Sequence, residues 1–178
     1  HHLNVEYYFQ YKNQHAQQYD MVYLIIVFLL ILIYNIVNDL KNSRIKFGDD
    51  TIGGMVVCHS SNQAKELQNQ FNKKYKNKAK DEHTPKTSTL ILHDVEDKDF
   101  RKKEVQAFKD GNIDILFVFN MLLTGFDSPR LKKLYVNRQI KDHNLLQTLT
   151  RVNRPYKKFR YGFVVDFADI RKEFDKAN

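Results

Sequence analysis

With 178 residues, the chain is long enough for about one domain with a real core. Lys and Arg total 29 against 21 Asp and Glu, a formal charge of +8, which suits a phosphate-bearing partner as well as it suits a solvated basic surface. One cysteine, Cys58, excludes an internal disulfide, and His59, His83, His93 and His143 lie too far apart in sequence for metal-ligand spacing, so no zinc or other metal site is expected.

In chain order, residues 1–20 read as polar and irregular, with His1-His2 compatible with a purification-tag remnant. Met21–Val37 is an apolar run interrupted only by Asn35, at or below the lower limit for a spanning helix and without the period of an amphipathic surface helix. Three readings stay open for it: a buried helix or strand, a short membrane segment, or a stretch foreign to the domain that follows. The chain then divides into an N-terminal segment, 1–35, and a regular lobe, 36–178.

Within the lobe, Gly53-Gly54 lead into an apolar strand, Met55–Cys58, where Cys58 reads as a small buried hydrophobe. Ser60-Ser61-Asn62 offer N-cap oxygens to a helix carrying Ala64, Leu67 and Phe71 at helical spacing. Lys73 to Lys86 is a lysine-rich helix end and loop. Thr87–His93 is a second strand. Lys98–Asp110 is a charged helix with Phe100, Val105 and Phe108 as its apolar contacts, stopped by Gly111. Asp114–Phe119 and Leu131–Val136 are further strands. His143–Val152 reads as a helix ended by Pro155, Tyr161–Phe167 as a fifth strand, and Ile170–Lys176 as the opening of another helix. Strands with near-continuous apolar cores, separated by helices, predict an α/β fold: a parallel sheet covered by helices on both faces. Ligands of such sheets sit at the carboxyl ends of strands, which places Thr124 and Asp127, after the third strand, at the expected ligand edge.

The helix after the fourth strand carries two stripes. Leu145, Leu149 and Val152 recur at i, i+4 and i+7 and mark the buried side, while Gln147, Arg151 and Arg154 recur at the same spacing on another side. Arginine keeps its charge, and its planar fork matches phosphate oxygens. Added positive charge of that kind is what a transferring phosphoryl group needs. The plain alternative is a solvated face laced with salt bridges.

Gln147-x-x-x-Arg151-x-x-Arg154 resembles motif VI of superfamily-two helicases, and Thr124-Gly125-Phe126-Asp127-Ser128-Pro129 resembles their motif V. Gly54 through Asn62 is placed like motif IV. The wording is nearer still to the motor-nuclease subunit of type I restriction enzymes, in Met121–Asp127, in Asp142–Gln147, in Asn153-Arg154-Pro155-Tyr156 and in the strand Tyr161–Phe167. This resemblance covers roughly Ile36 to the end. Thr150 departs from the broad superfamily, where many members carry glycine.

The resemblance implies a RecA-like second lobe, the helicase C-terminal lobe, of an ATP-driven DNA translocase. It implies that Arg154 is an arginine finger reaching the γ-phosphate. Arg151 would be its partner, on phosphate or tying motif VI to motif V, and Gln147 would orient the nucleotide or the surroundings of the nucleophilic water. Gly125 and Asp127 would lie on the nucleotide side, Thr124 would link nucleotide state to DNA, and Ser60 and Ser61 would lie near the DNA backbone. It implies ATP and Mg2+ in an intact motor, with duplex DNA, a first RecA-like lobe, a nuclease domain, and specificity and methyltransferase subunits as partners, in a bacterial or archaeal cytoplasm and not in a membrane. No glycine is followed by the lysine of a phosphate-cradling loop, and Asp81-Glu82-His83-Thr84 lies in a lysine-rich loop and not at a strand end. The first lobe and the Mg2+ ligands are therefore expected elsewhere in a longer polypeptide, and the chain alone is expected to be inactive. A non-catalytic, basic nucleic-acid-binding module using Lys73–Lys86 is the alternative.

Overall fold

The computed structural model describes residues 5–76, 78, 81–92, 97–119, 126–138 and 149–167. Its described strands are β1 (Gly53–Val57), β2 (Ser88–Leu92), β3 (Ile115–Phe119), β4 (Leu131–Val136) and β5 (Phe163–Asp166). They form one sheet in the order β2-β3-β1-β4-β5, and every neighbouring pair is parallel. The three innermost strands are buried along nearly their whole length, as their apolar runs predict. The expected α/β fold of RecA-like type is the observed one.

Helices cover both faces. On one face lie α1 (Val5–Phe47) and α2 (Ser61–Lys74), packed on Val56, Ile115, Phe117 and Tyr135. On the other lies α3 (Lys98–Lys109), whose Phe108 packs with Met55, Leu116, Leu134 and Phe126. The N-cap of α2 is as the sequence predicts: Ser60 Oγ accepts from the Gln63 amide at 3.1 Å. The Phe108 ring needs Gly53, since a Cβ there would lie 2.6 Å from it. Phe100, expected as an apolar contact of α3, is instead exposed, because the first turn of α3 lies clear of the sheet. The helix predicted from Ile170 and most of the one predicted from His143 lie outside the described residues.

The N-terminal segment differs most from expectation. It is not irregular: α1 runs unbroken for 43 residues, about 65 Å at 1.5 Å per residue. A five-residue strand spans about 17 Å, so the sheet can cover only part of such a helix. The covered part is a helical stripe of Leu29, Leu32, Ile33, Ile36, Val37 and Leu40, side chains worth about 1.5–3 kcal/mol each on full burial. The buried-helix reading of the apolar run therefore holds from Leu29 onward. Upstream, Met21–Ile26 and Phe28 are exposed, Leu24 to 65%. By length and composition Met21–Phe47 is apolar enough to cross a membrane. However, only eight residues of that apolar stretch, Met21–Phe28, precede the sheet-bound stripe, roughly 12 Å against a hydrocarbon core of about 30 Å.

Polar bonds fix the last turns of α1 on the sheet. Asp39 accepts from Lys133 Nζ on β4 at 2.9 Å and from the Tyr135 hydroxyl at 2.9 Å. Arg44 donates to the Ile52 carbonyl at 2.9 Å and to Asp114 Oδ1 at 2.5 Å. The second Asp114 oxygen accepts from the Lys86 and Thr87 amides at 2.7 and 3.0 Å. Burial pushes the Asp114 carboxyl up, but the Arg44 charge and these bonds outweigh it and leave it below the ordinary carboxylate value.

Candidate functional site

Asp127 lies not at the carboxyl edge of the sheet but at the amino edge. It sits four residues before the first residue of β4, in a stretch that ends on Arg130. The Arg130 guanidinium is bonded to the carbonyls of Thr51, at 2.8 Å, Ile113, at 2.7 Å, and Phe108, and Thr51 and Ile113 lead into β1 and β3. The reason is directional: the chain leaves β3 at one edge and must cross to the other to begin a parallel β4. The expectation that Asp127 faces the carboxyl edge is thus corrected. Thr124 and Gly125, expected beside it, lie outside the described residues, as does Gln147.

Arg154 comes to the same amino edge. Residues 149–152 are helical, with Val152 buried against the α3 face of the sheet and Leu149 packed beside it. Asn153 and Arg154 follow, and Pro155 prevents the helix from continuing. One Arg154 guanidinium nitrogen is bonded to Asp127 Oδ1. Both groups are partly open to solvent, 37% and 51% exposed. The residues of the motif V and motif VI patterns are therefore brought together by Arg154, and not by Arg151. Arg151 is half-buried, and its Nε has no hydrogen-bond partner among the described residues.

Two features that sequence reasoning missed frame this pair. Lys132, in β4, is fully buried and donates to the Arg154 carbonyl, and burial alone pulls its ammonium below the usual lysine value. Its signal was a lysine pair, Lys132-Lys133, inside an otherwise apolar strand. Gly162 approaches Val152 so closely that a Cβ there would overlap the Val152 carbonyl and Cγ1. Beside them, Lys157 Nζ reaches Thr51 Oγ1 at 2.7 Å and Asp49 at 3.3 Å, and Thr51 shares a 2.9 Å bond with the Tyr156 hydroxyl.

Ser60 and Ser61 sit at the opposite, carboxyl edge, just beyond β1. A strand of five residues, about 17 Å long, separates that edge from the one where Arg154 lies. The two groups of candidate residues thus occupy opposite edges of one sheet. Cys58 is fully buried, and burial pushes its thiol up to about 12; it is an inert part of the core. Among the described residues no cluster of His, Cys, Asp and Glu could hold a metal ion. The amino-edge arginines suit a polyphosphate in charge.

Residues 2–169 match the family model for domain 3 of the type I restriction enzyme subunit R. The match takes in Met21–Val37, so that run is not foreign to the rest, and it begins well before the motifs do. The type I restriction enzyme SauCOLORF180P endonuclease subunit of Staphylococcus aureus (strain COL) is 36% identical over 133 residues, 74% of this chain and 13% of that protein. A restriction-enzyme relative from Methanocaldococcus jannaschii is 34% identical over 157 residues, 76% of this chain and 15% of its own length. The chain thus spans about 13% to 15% of the curated relatives it matches. Among solved structures, Mss116p DEAD-box helicase domain 2 bound to an RNA duplex is similar with a TM-score of 0.56 at 16% identity, covering 84% of this chain and 57% of that one. The Pyrococcus furiosus Hef helicase domain gives 0.55 at 11% identity, covering 81% and 27%. At these identities the structural likeness speaks to fold alone.

Proposed function

Because the chain belongs to the type I restriction enzyme subunit R domain 3 family, we propose that it is the second motor lobe of an ATP-dependent DNA translocase within a restriction endonuclease. The observation that carries this reading is the Arg154–Asp127 bond, which joins the motif V and motif VI segments at one sheet edge. Arg154 and Arg151 supply positive charge to a nucleotide held between this amino edge and a first lobe. Arg154, whose guanidinium is bonded to Asp127, is the arginine that reaches the γ-phosphate across the cleft. Gln147, Gly125 and Asp127 complete the nucleotide side. Thr124, Ser60 and Ser61 serve the DNA side, and the β strands between the two edges couple them.

ATP is the substrate, and Mg2+ is held by residues of the first lobe. The nuclease centre and the specificity and methyltransferase subunits complete the assembly, in a bacterial or archaeal cytoplasm. The test is DNA-stimulated ATP hydrolysis by the full-length subunit in its complex, with nucleotide binding followed separately. Arg154→Ala is expected to cut turnover far more than it cuts nucleotide affinity, since an arginine finger acts on charge that develops in the transition state. Hydrolysis at the parental rate would mean that motif VI is misassigned, and a non-catalytic, basic nucleic-acid-binding module would then be the better description.

A further inference from the structure

An apolar strand has no need of a lysine, yet Lys132 is among the fully buried side chains of β4. Its placement has a local cause. The ladder between β1 and β4 pairs Gly53 with Leu131 and then Gly54 with Lys133, so Lys132 is the extra residue of a β-bulge. A bulge re-aims the side chain it carries. Here it sends Lys132 Nζ to the backbone carbonyl of Arg154. That carbonyl lies past the last helical residue, Val152, and is followed by Pro155, which has no N–H and holds the preceding residue away from helical geometry. It therefore needs a donor from elsewhere in the fold, and a buried ammonium, itself costly to desolvate, meets that need.

We infer that Lys132 is a positioning residue for Arg154, fixing the backbone of the arginine while Asp127 holds its guanidinium. The inference rests on the reading of Arg154 as the phosphate-facing arginine. Lys132 touches no substrate: it lies inside the sheet, and its effect passes through the Arg154 carbonyl. Loss of the bond frees the segment between Val152 and Pro155, and displacement of a catalytic group by about 1 Å is worth on the order of 100-fold in rate.

The test uses the full-length subunit in its complex and compares Lys132→Met, Lys132→Gln, Arg154→Ala and the Lys132→Met/Arg154→Ala double variant. Methionine fills the same volume without donating. Glutamine keeps the site polar but is one atom shorter, so the bond to the carbonyl is lengthened and loses its charge. DNA-stimulated ATP hydrolysis gives kcat and KM, and a thermal melt checks the fold. The expected result is a kcat lower by about 10- to 100-fold in Lys132→Met and Lys132→Gln, with the KM for ATP within about twofold. In the Arg154→Ala background Lys132→Met should add less than about twofold, since both act through one group. The inference is overturned if folded Lys132→Met keeps the parental kcat, if its loss is equally large in the Arg154→Ala background, or if KM alone changes. If Lys132→Met does not fold, the Lys132→Gln variant decides by the same criterion. Arg154→Ala at the parental rate would sink the reading of Arg154, and the role of Lys132 with it. A severe Arg154→Ala beside an unaffected Lys132→Met would leave that reading intact and remove only this inference.

Discussion

Arg154 donates to the carboxylate of Asp127 across 27 positions of sequence, locking the chain after residues 149–152 to the chain that enters β4. Both side chains are substantially exposed, and exposed ion pairs add only about 0–1 kcal/mol to stability. Asp127→Ala should therefore lower the stability of the chain in urea melts by no more than about 1 kcal/mol. Its effect on ATP turnover in the full-length subunit should be much larger. A stability loss that accounts for the whole activity loss would make the pair structural.

The arginines of this region should differ in kind. Arg154→Ala is expected to cost about 10³–10⁵ in turnover, the range for arginine fingers. Arg154→Lys should restore only part, because an ammonium lacks the forked geometry. Arg151→Ala should also be severe. Arg160 is exposed beyond the turn that Tyr156 and Phe159 close, so Arg160→Ala should be mild. Single-turnover hydrolysis with separate nucleotide-binding titrations resolves these cases, and equal losses at all three positions would contradict the assignment.

The chain by itself should hydrolyse no ATP above background in the presence of Mg2+ and duplex DNA. Any duplex binding it retains should weaken steeply between about 50 and 200 mM salt, as phosphate contacts do. Affinity measured by fluorescence anisotropy that stays flat over that range would argue against the basic surface as the DNA contact.

How far the sequence could be read depended on whether a feature is local. Strand cores such as Ile115–Phe119 declare themselves by unbroken apolarity, and Ser60 by its place before a helical stripe; both stand where expected. The edge on which Asp127 lies was misjudged, because a loop that starts at the carboxyl edge of β3 has to finish at the amino edge of β4, and residue spacing does not say where along that path a residue falls. Arg44–Asp114 and Lys132–Arg154 join positions 70 and 22 apart, and no local pattern says that these partners meet. The apolar stripe of α1 was hidden because the residues between its buried positions, Leu30, Ile31 and Tyr34, are themselves apolar although exposed, so no amphipathic period stands out.

The Arg44–Asp114 pair should make stability depend on acid. The carboxyl of Asp114 is held below its ordinary value once folded. Its contribution is therefore fully present above about pH 4, the unfolded value, and is lost as pH falls through the lower folded value. Asp114→Asn leaves the Arg44 guanidinium buried without its counter-charge, which should cost about 3–5 kcal/mol near neutrality. The same variant should lose less stability than the parent between pH 5 and about 3. Urea melts across that range measure both effects, and an unchanged acid slope in the variant would assign the pH dependence to other carboxylates.

Gly162 offers the most direct way to move Arg154 without touching it. The chain turns at Tyr156–Phe159 and returns past Val152 before entering β5, and the return is close enough that a Cβ at position 162 would overlap both the Val152 side chain and its carbonyl oxygen. A single added methyl group in a packed region typically costs about 1–3 kcal/mol, and the surroundings shift to receive it. Here the group that must shift is the last helical residue before Asn153 and Arg154. Gly162→Ala should therefore lower the melting temperature and also reduce ATP turnover in the full-length subunit, with little change in nucleotide affinity. Adding Val152→Ala removes the overlap with Cγ1 but not the one with the carbonyl, so the double variant should recover part of the turnover while its stability stays low. A Gly162→Ala subunit that is less stable yet hydrolyses ATP at the parental rate would show that the Val152 backbone can move without disturbing Arg154.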